Sequence, residues 1–243
     1  MKRIVIVGAT SGMGLEVARL AIGAGWRVGA AGRRADRLEA LRAEAPGQVE
    51  TEPLDVTDPT ATEHLGRLIE RLGGMDIYLH SSGIGSRNEA LDPTIELATA
   101  RTNGEGFIRM VTAAYAWFRA HGGGQIAVIS SIAGTRGLGA APAYSATKRM
   151  QNTYIDALAQ LSHMQRAGIR FTDIRPGFVA TPLLAADGGY PMLMPADRVA
   201  RRIFRAIVRR RRRVVIDGRF ALLVFFWRLI PAWLWERLAI RKK

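Results

Sequence analysis

The 243-residue chain predicts an α/β fold: a doubly wound parallel sheet of about seven strands with helices on both faces, in a single domain. Short apolar runs rich in Val, Ile and Ala alternate with stretches of helical apolar spacing. That alternation is what a parallel sheet with right-handed crossovers requires. The first run, Ile4-Val5-Ile6-Val7, passes directly into a glycine-rich turn and then a helix, the opening of a βαβ unit. The length suits one sizeable domain better than two. Residues 1–218 carry the alternating pattern and 219–243 form an apolar, basic tail.

Composition excludes several chemistries. The chain has no cysteine, so it has no disulfide frame, thiol nucleophile or cysteine metal site. His64, His80, His121 and His163 show no ligand spacing, and no metal is expected. The net charge of +14 suggests nucleic acid until it is divided along the chain. Residues 195–243 hold 15 Lys/Arg against 3 Asp/Glu, whereas the other 194 residues hold 20 against 18. The basicity belongs to the tail and no base-reading module accompanies it, so no nucleic acid is expected.

At the N-terminus, Met1-Lys2-Arg3 followed by four apolar residues has the charge pattern of a secretory signal, but the run enters glycines at once. A first strand is the better reading, and it predicts a cytoplasmic protein. No run of 18 apolar residues occurs, so a spanning helix is not expected.

Gly8-Ala9-Thr10-Ser11-Gly12-Met13-Gly14 follows that strand and precedes a helix over 15–24. Glycines there allow a tight turn, and they let backbone amides approach a pyrophosphate at the positive end of the helix dipole. The Rossmann-like dinucleotide reading rests on this context. A second strand over 26–31 ends at Gly32-Arg33-Arg34. An acidic residue at this strand end would hold a ribose 2′-hydroxyl, whereas arginine suits a 2′-phosphate, so NADP(H) is expected over NAD.

The third strand, 49–54, leads to Asp55-Val56-Thr57-Asp58-Pro59. Asp58 is predicted as N-cap with Pro59 at the first helical position. Asp55 is placed either to reach an adenine amino group or to cap the turn. A fourth strand over 75–79 precedes His80-Ser81-Ser82-Gly83-Ile84-Gly85, a small-residue turn that lets backbone pack near a cofactor ribose. The long helical stretch 94–120 contains Asn103-Gly104-Glu105-Gly106. Glycine within a helix costs about 1 kcal/mol relative to alanine. A helix bulge that exposes a carbonyl near Asn103 for a bound water would account for it.

After a Gly122-Gly123-Gly124 turn, Ile126–Ile129 reads as a buried strand that ends in Ser130-Ser131, at the carboxyl edge where open α/β sheets build sites. Thirteen residues after Ser131 comes Tyr144-Ser145-Ala146-Thr147-Lys148. On a helix, Tyr144 and Lys148 share one face, and an ammonium beside a phenol lowers the phenol's pKa. Tyr144 is therefore a candidate general acid and base. A sixth strand, 169–174, precedes Arg175-Pro176-Gly177-Phe178-Val179-Ala180-Thr181-Pro182. Residues 183–194, apolar with Gly188-Gly189 inside, read as a mobile flap over a greasy pocket or as a packed surface loop.

Together, Gly8-x-x-x-Gly12-x-Gly14, Asp55-Val56, Asn103, Ser131, Tyr144-x-x-x-Lys148, and Pro176-Gly177 with Thr181 resemble the short-chain dehydrogenase/reductase family over roughly residues 3–218. The resemblance implies an oxidoreductase with Asn103, Ser131, Tyr144 and Lys148 as catalytic residues. Tyr144 would exchange the proton with the substrate oxygen, Ser131 would hydrogen-bond that oxygen, Lys148 would also bind the nicotinamide ribose, and Asn103 would hold the water of a proton relay. It implies NADP(H) held by Gly8, Thr10, Ser11, Gly12, Met13, Gly14, Arg33, Arg34, Asp55, Val56, Ser82, Gly83, Tyr144, Lys148, Pro176, Gly177, Val179 and Thr181. One departure is that the family's Asn-Asn-Ala-Gly turn is His80-Ser81-Ser82-Gly83 here. Serines replace only part of asparagine's two-sided bonding, so local rigidity is in question more than chemistry.

The tail places Arg209–Arg213 before a last strand over 214–216, where cations suit a helix C-terminus. Three of the five tryptophans then fall within nine residues, flanked by basic residues, and Pro231 divides the segment into two short helices. Phe220–Lys243 reads as a hairpin on a membrane surface, or as a segment packed on the domain or on a partner subunit. The reading is an NADPH-dependent reductase of an apolar or lipid-like ketone, in the manner of 3-ketosphinganine or a steroid ketone, associated with the cytoplasmic face of a membrane. Ala133, Leu138, Phe178, Leu183, Leu184, Met192 and Met194 are the candidate substrate pocket. The family implies a homodimer or homotetramer built on the helices that carry Asn103 and Tyr144. The alternative is an NADP(H)-binding scaffold or redox-sensing regulator that recruits a partner through the tail.

Overall fold

A computed structural model describes residues 1–184 and 190–238. The strands β1 (Arg3–Val7), β2 (Arg27–Gly32), β3 (Val49–Pro53) and β4 (Ile77–His80) alternate with helices α1 (Gly12–Gly23), α2 (Ala35–Glu44) and α3 (Ala61–Leu72). Helix α4 (Pro93–Ala100) runs through a π-helical turn (Arg101–Gly106) into α5 (Phe107–Ala120), which returns to β5 (Gly124–Ile129). A 3-10 turn (Ile132–Thr135) and the long α6 (Pro142–Met164) connect to β6 (Ile169–Pro176). The chain closes with the short β7 (Val179–Ala180) and β8 (Met194–Pro195), α7 (Ala196–Val208), β9 (Arg213–Ile216), α8 (Gly218–Leu229) and α9 (Ala232–Trp235).

Seven strands form one parallel sheet in the order β3-β2-β1-β4-β5-β6-β9, and β7 pairs with β8 apart from it. The order reverses between β1 and β4, and the crevice at such a switch point is where open α/β sheets bind ligands. Central strands are buried on both faces, which is why they read as continuous apolar runs. One core layer includes Val17, Ala18, Ile203 and Phe220; the other includes Leu65, Leu68, Phe107 and Ile155.

One sequence expectation changes. Asp58 does not cap α3: its Oδ1 accepts from the Thr60 amide and hydroxyl, at 2.7 Å each, and the helix begins after Thr60. Proline fixes the turn, but the short side chain of Asp58 satisfies donors two residues on and so closes the turn before the helix starts. The stretch 94–120 is two α-helices joined by a π-turn, as the glycines around Asn103 predict. Gly106 also gives room, since a Cβ there would lie 2.8 Å from Val56 Cγ2.

The tail packs on the domain through one face only. Phe220 and Val224 of α8 are core residues, while the outer face of the helix is exposed. Arg136 donates to the carbonyls of Trp227, Arg228 and Ile230, and Trp235 Nε1 donates to the Gly137 carbonyl at 2.8 Å. Among the described residues, no helix is long and apolar enough to cross a membrane.

Candidate active site

The glycine turn is shaped by close approach. Gly8 has φ +95°, and a Cβ on it would lie 2.6 Å from the Ser82 amide nitrogen. A Cβ on Gly14 would lie 2.2 Å from the Gly8 carbonyl oxygen, so α1 can sit this close to β1 only with glycine there. Ser11 precedes α1, and its side chain makes no bond to the helix amides. The first-turn N–H groups therefore face the switch-point crevice, which suits a pyrophosphate. Met13 packs against the core, and Thr181 approaches Gly12 from the other side, where a Cβ on Gly12 would be 3.2 Å from Thr181 Cγ2. The structure thus brings the segment Pro176–Thr181 to the glycine turn.

At the end of β2 the two arginines part company. Arg34 donates to Thr10 Oγ1 at 2.9 Å and braces the glycine turn. The Arg33 side chain is 69% exposed and lies 4.0 Å from Asp55. Arg33 is thus free to turn toward a phosphate on an adenosine ribose. The other Asp55 oxygen caps its own turn, accepting from the Thr57 amide and hydroxyl at 2.9 and 2.8 Å. Val56 is buried under the π-turn. A cradle without side-chain volume and uncapped helix amides fit a dinucleotide.

Ser131, Tyr144, Lys148 and Asn103 come together at the carboxyl edge of β4 and β5. Ser131 follows β5, accepts from the Ala133 amide at 3.1 Å and hydrogen-bonds the Tyr144 phenol. Tyr144 lies in the first turn of α6, whose Ala143 amide is capped by Glu96 Oε2 at 2.9 Å. Lys148 Nζ sits 5.7 Å from the Tyr144 ring centroid. Gly83 faces both Asn103 and Lys148, and Gly85 faces the Tyr144 ring, where a Cβ would lie 2.5 Å from Cδ2. That explains the run of small residues after β4.

The electrostatics differ from the simple expectation. Burial raises the Tyr144 phenol above its ordinary range, and the Ser131 hydrogen bond only partly opposes this. Burial pushes the Lys148 ammonium down to about 8, against the pull of Asp173. The phenol is thus raised, where the sequence led us to expect Lys148 to lower it. The ammonium instead donates to the Ile129 carbonyl at 3.3 Å and to Gln151 Oε1 at 3.1 Å. His80 is buried to 1% exposure, and burial, then Lys148, lowers it to about 3 against a Ser82 backbone contact.

Asn103 is fully buried in the π-turn. Its side chain ties the turn after β4 on both sides, accepting from the Ile84 amide at 2.8 Å and donating to the Ile84 carbonyl at 2.6 Å. The carbonyl expected to hold a water accepts from Gln151 Nε2 at 2.9 Å. Gln151 stands three residues after Lys148 on the same face of α6, so one side chain reaches both groups. Sequence reasoning missed Gln151; its i+3 spacing from Lys148 was the available signal. It also missed Asp173, fully buried beneath Lys148 and held by Ser130 at 2.5 Å and by Arg175.

The candidate pocket residues divide. Ala133 is buried beside Ser131, and Leu138 donates its amide to Ser145 Oγ at 3.0 Å near the head of α6. Phe178 meets Tyr190 in a tilted contact and Phe220 edge-on, with centroids 5.0 and 6.0 Å apart. Leu183 and Met192 are exposed and Leu184 is half-buried. Met194 is a core residue that pairs with Val179 in the β7–β8 ladder, so its side chain does not line the cleft. The centre of the expected flap, residues 185–189 with Gly188 and Gly189, lies outside the described residues.

The profile described as short chain dehydrogenase matches residues 2–188. An uncharacterised oxidoreductase of Myxococcus xanthus is 34% identical over 211 residues, covering 84% of this chain and 83% of that protein. Dehydrogenase/reductase SDR family member 7B of Bos taurus is 29% identical, covering 99% and 81%. Among solved structures, a short-chain type dehydrogenase/reductase from Mycobacterium marinum has a TM-score of 0.81 at 25% identity, covering 90% of this chain and 95% of that one. ElxO with NADP bound has a TM-score of 0.80 at 21% identity, covering 91% and 99%. With the sheet order, the crevice and the Ser131–Tyr144–Lys148 cluster on the same edge, this chain belongs to the short-chain dehydrogenase/reductase family of oxidoreductases.

Proposed function

We propose that the protein is an NADP(H)-dependent oxidoreductase that acts between a ketone and a secondary alcohol of apolar, lipid-like character. The observation that carries this is the Tyr144 phenol, kept protonated by burial, bonded to Ser131 and backed by Lys148 on the same helix face. Such a phenol is an acid at neutral pH and suits the reductive direction. When bound, the nicotinamide supplies or accepts the hydride at the substrate carbon.

The chain's own residues handle the oxygen. Ser131 donates to the substrate carbonyl oxygen and fixes its position, and Tyr144 protonates that oxygen as negative charge develops. Lys148 then stabilises the phenolate through its ammonium. Gln151 holds that ammonium and links it to the Asn103 carbonyl. Arg33 favours the 2′-phosphate, and the fold shared with ElxO accommodates NADP in that protein. Phe178, Leu138, Leu183 and Met192 favour an apolar substrate over a sugar.

We also infer that the tail rests on a membrane surface, supported by the exposed Leu222, Phe225, Phe226, Leu229 and Trp233. Self-association on the α4–α6 face is supported by the exposed Leu97 and Ile108.

The test is a fluorescence titration of the full chain with NADPH and with NADH, repeated with Arg33→Ala. NADPH is expected to bind more tightly than NADH and to lose about tenfold or more in the variant, as a charge-assisted phosphate bond of roughly 1.5–3 kcal/mol implies. Equal binding of both nucleotides, unchanged in the variant, would contradict the NADP(H) reading, and binding of neither would end the enzyme reading.

A further inference from the structure

A second cleft, of about 970 Å³, opens between α6, the loop after Thr135 and the end of α8. Five arginines line it: Arg136, Arg149, Arg175, Arg213 and Arg228. Two are neutralised, Arg175 on Asp173 at 2.5 Å and Arg213 on Asp156 at 3.1 Å. The other three have no carboxylate partner among the described residues. Arg136 donates only to main-chain carbonyls at the end of α8, and Arg149 reaches only the Gly134 carbonyl, at 3.5 Å. Arg228 has no hydrogen bond or ion pair from its guanidinium among the described residues. Guanidinium stays charged at any working pH, and its fork matches phosphate oxygens in pairs. Three guanidiniums without a carboxylate partner around one cavity call for an anion with several oxygens.

The cleft adjoins the exposed face of α8. Leu222, Phe225, Phe226 and Leu229 recur at i, i+3, i+4 and i+7 and are each between 55% and 64% exposed. Phe220 and Val224, on the opposite face, are the helix's attachment to the core. The stripe is therefore a second apolar face with nothing from the described residues upon it, and the next helix adds an exposed Trp233. Residues 195–243 carry 15 Lys/Arg against 3 Asp/Glu, so the charge around the stripe complements an anionic surface.

We propose that the arginine cleft takes the phosphate of an anionic phospholipid headgroup while the outer face of α8 lies among the acyl chains. This rests on the membrane-surface reading of the tail, and it names the lipid chemistry and the residues that recognise it. Arg136, Arg149 and Arg228 are the phosphate ligands. Leu222, Phe225, Phe226 and Leu229 supply the apolar contact. Because Leu138 lines the same cleft beside Ser145 of α6, the headgroup site sits next to the catalytic helix.

The experiment is flotation of the full chain with three vesicle sets: phosphatidylcholine alone, phosphatidylcholine with phosphatidic acid, and phosphatidylcholine with a carboxylate amphiphile at the same surface charge. The wild type is expected to prefer the phosphatidic acid vesicles. Arg149→Gln with Arg228→Gln should lower that partition about tenfold and erase the preference for phosphate over carboxylate, with NADPH binding retained as the check of folding. Phe225→Ser with Phe226→Ser should remove binding to every vesicle. Vesicle binding that the arginine pair leaves unchanged would overturn the headgroup site and leave the membrane reading standing. No vesicle binding by the wild type would overturn both. In that case, thermal stabilisation by glycerol 3-phosphate that depends on Arg149 and Arg228 would assign the cleft to a free phosphorylated ligand.

Discussion

Lys148 Nζ donates to Gln151 Oε1 at 3.1 Å, and the amide of the same glutamine donates to the carbonyl of Asn103 at 2.9 Å. A fully buried side chain thus couples the Lys148 ammonium to the π-turn. Gln151→Leu should unpair both groups and cost roughly 1–3 kcal/mol of stability. With Lys148 released, kcat should fall about tenfold with little change in cofactor affinity. Gln151→Glu supplies a carboxylate, which should move the basic limb of the pH–rate profile upward. A glutamine with a packing role alone would leave that limb in place, so the pH profile decides.

His80 makes the protein sensitive to acid. Burial, then the neighbouring Lys148, lowers the imidazole to about 3, whereas an unfolded chain titrates near the ordinary value of 6.5. Between these values the unfolded state binds the proton and the folded state does not. The contribution, on the order of a few kcal/mol, is present above pH 6.5 and is lost as the pH falls toward 3. His80→Asn should flatten this part of the curve of chemical-denaturation stability against pH. An unchanged slope would show that other groups carry the acid response.

Phe220 joins helix α8 to the segment after β6. It is fully buried, and a Cβ on Gly177 would fall 2.3 Å from its ring. Phe220→Ala should lower stability by about 3–5 kcal/mol in urea unfolding. Gly177→Ala should also destabilise, since the ring can yield only by moving α8. Adding Phe220→Ala to Gly177→Ala should then cost less than the two separate losses combined, because they share one contact.

Much of this was legible because it rests on local chemistry. Gly8, Gly12 and Gly14 mark a turn that tolerates no side chains, and Gly104 and Gly106 signalled the interrupted helix around Asn103. Ser131, Tyr144 and Lys148 were readable from a strand end and a helix spacing. What was hidden depends on three-dimensional placement. Gln151 looks like any helical glutamine until α6 turns it toward the π-turn, and Asp173 is one polar residue within an apolar strand. Burial raises the Tyr144 phenol and lowers the Lys148 ammonium, an effect that helix spacing alone does not show. Helix α8 is apolar all round, so its sequence could not say that Phe220 and Val224 face inward while Phe225 and Phe226 face out.

The central claim is that Tyr144 delivers the proton, and Tyr144→Phe measures it most directly. Steady-state NADPH consumption with an apolar ketone should fall by about 10²–10⁴-fold. NADPH affinity by fluorescence should stay within about threefold of wild type, since the ring and Lys148 remain. Turnover at the wild-type rate by Tyr144→Phe would contradict the assignment of the proton to Tyr144.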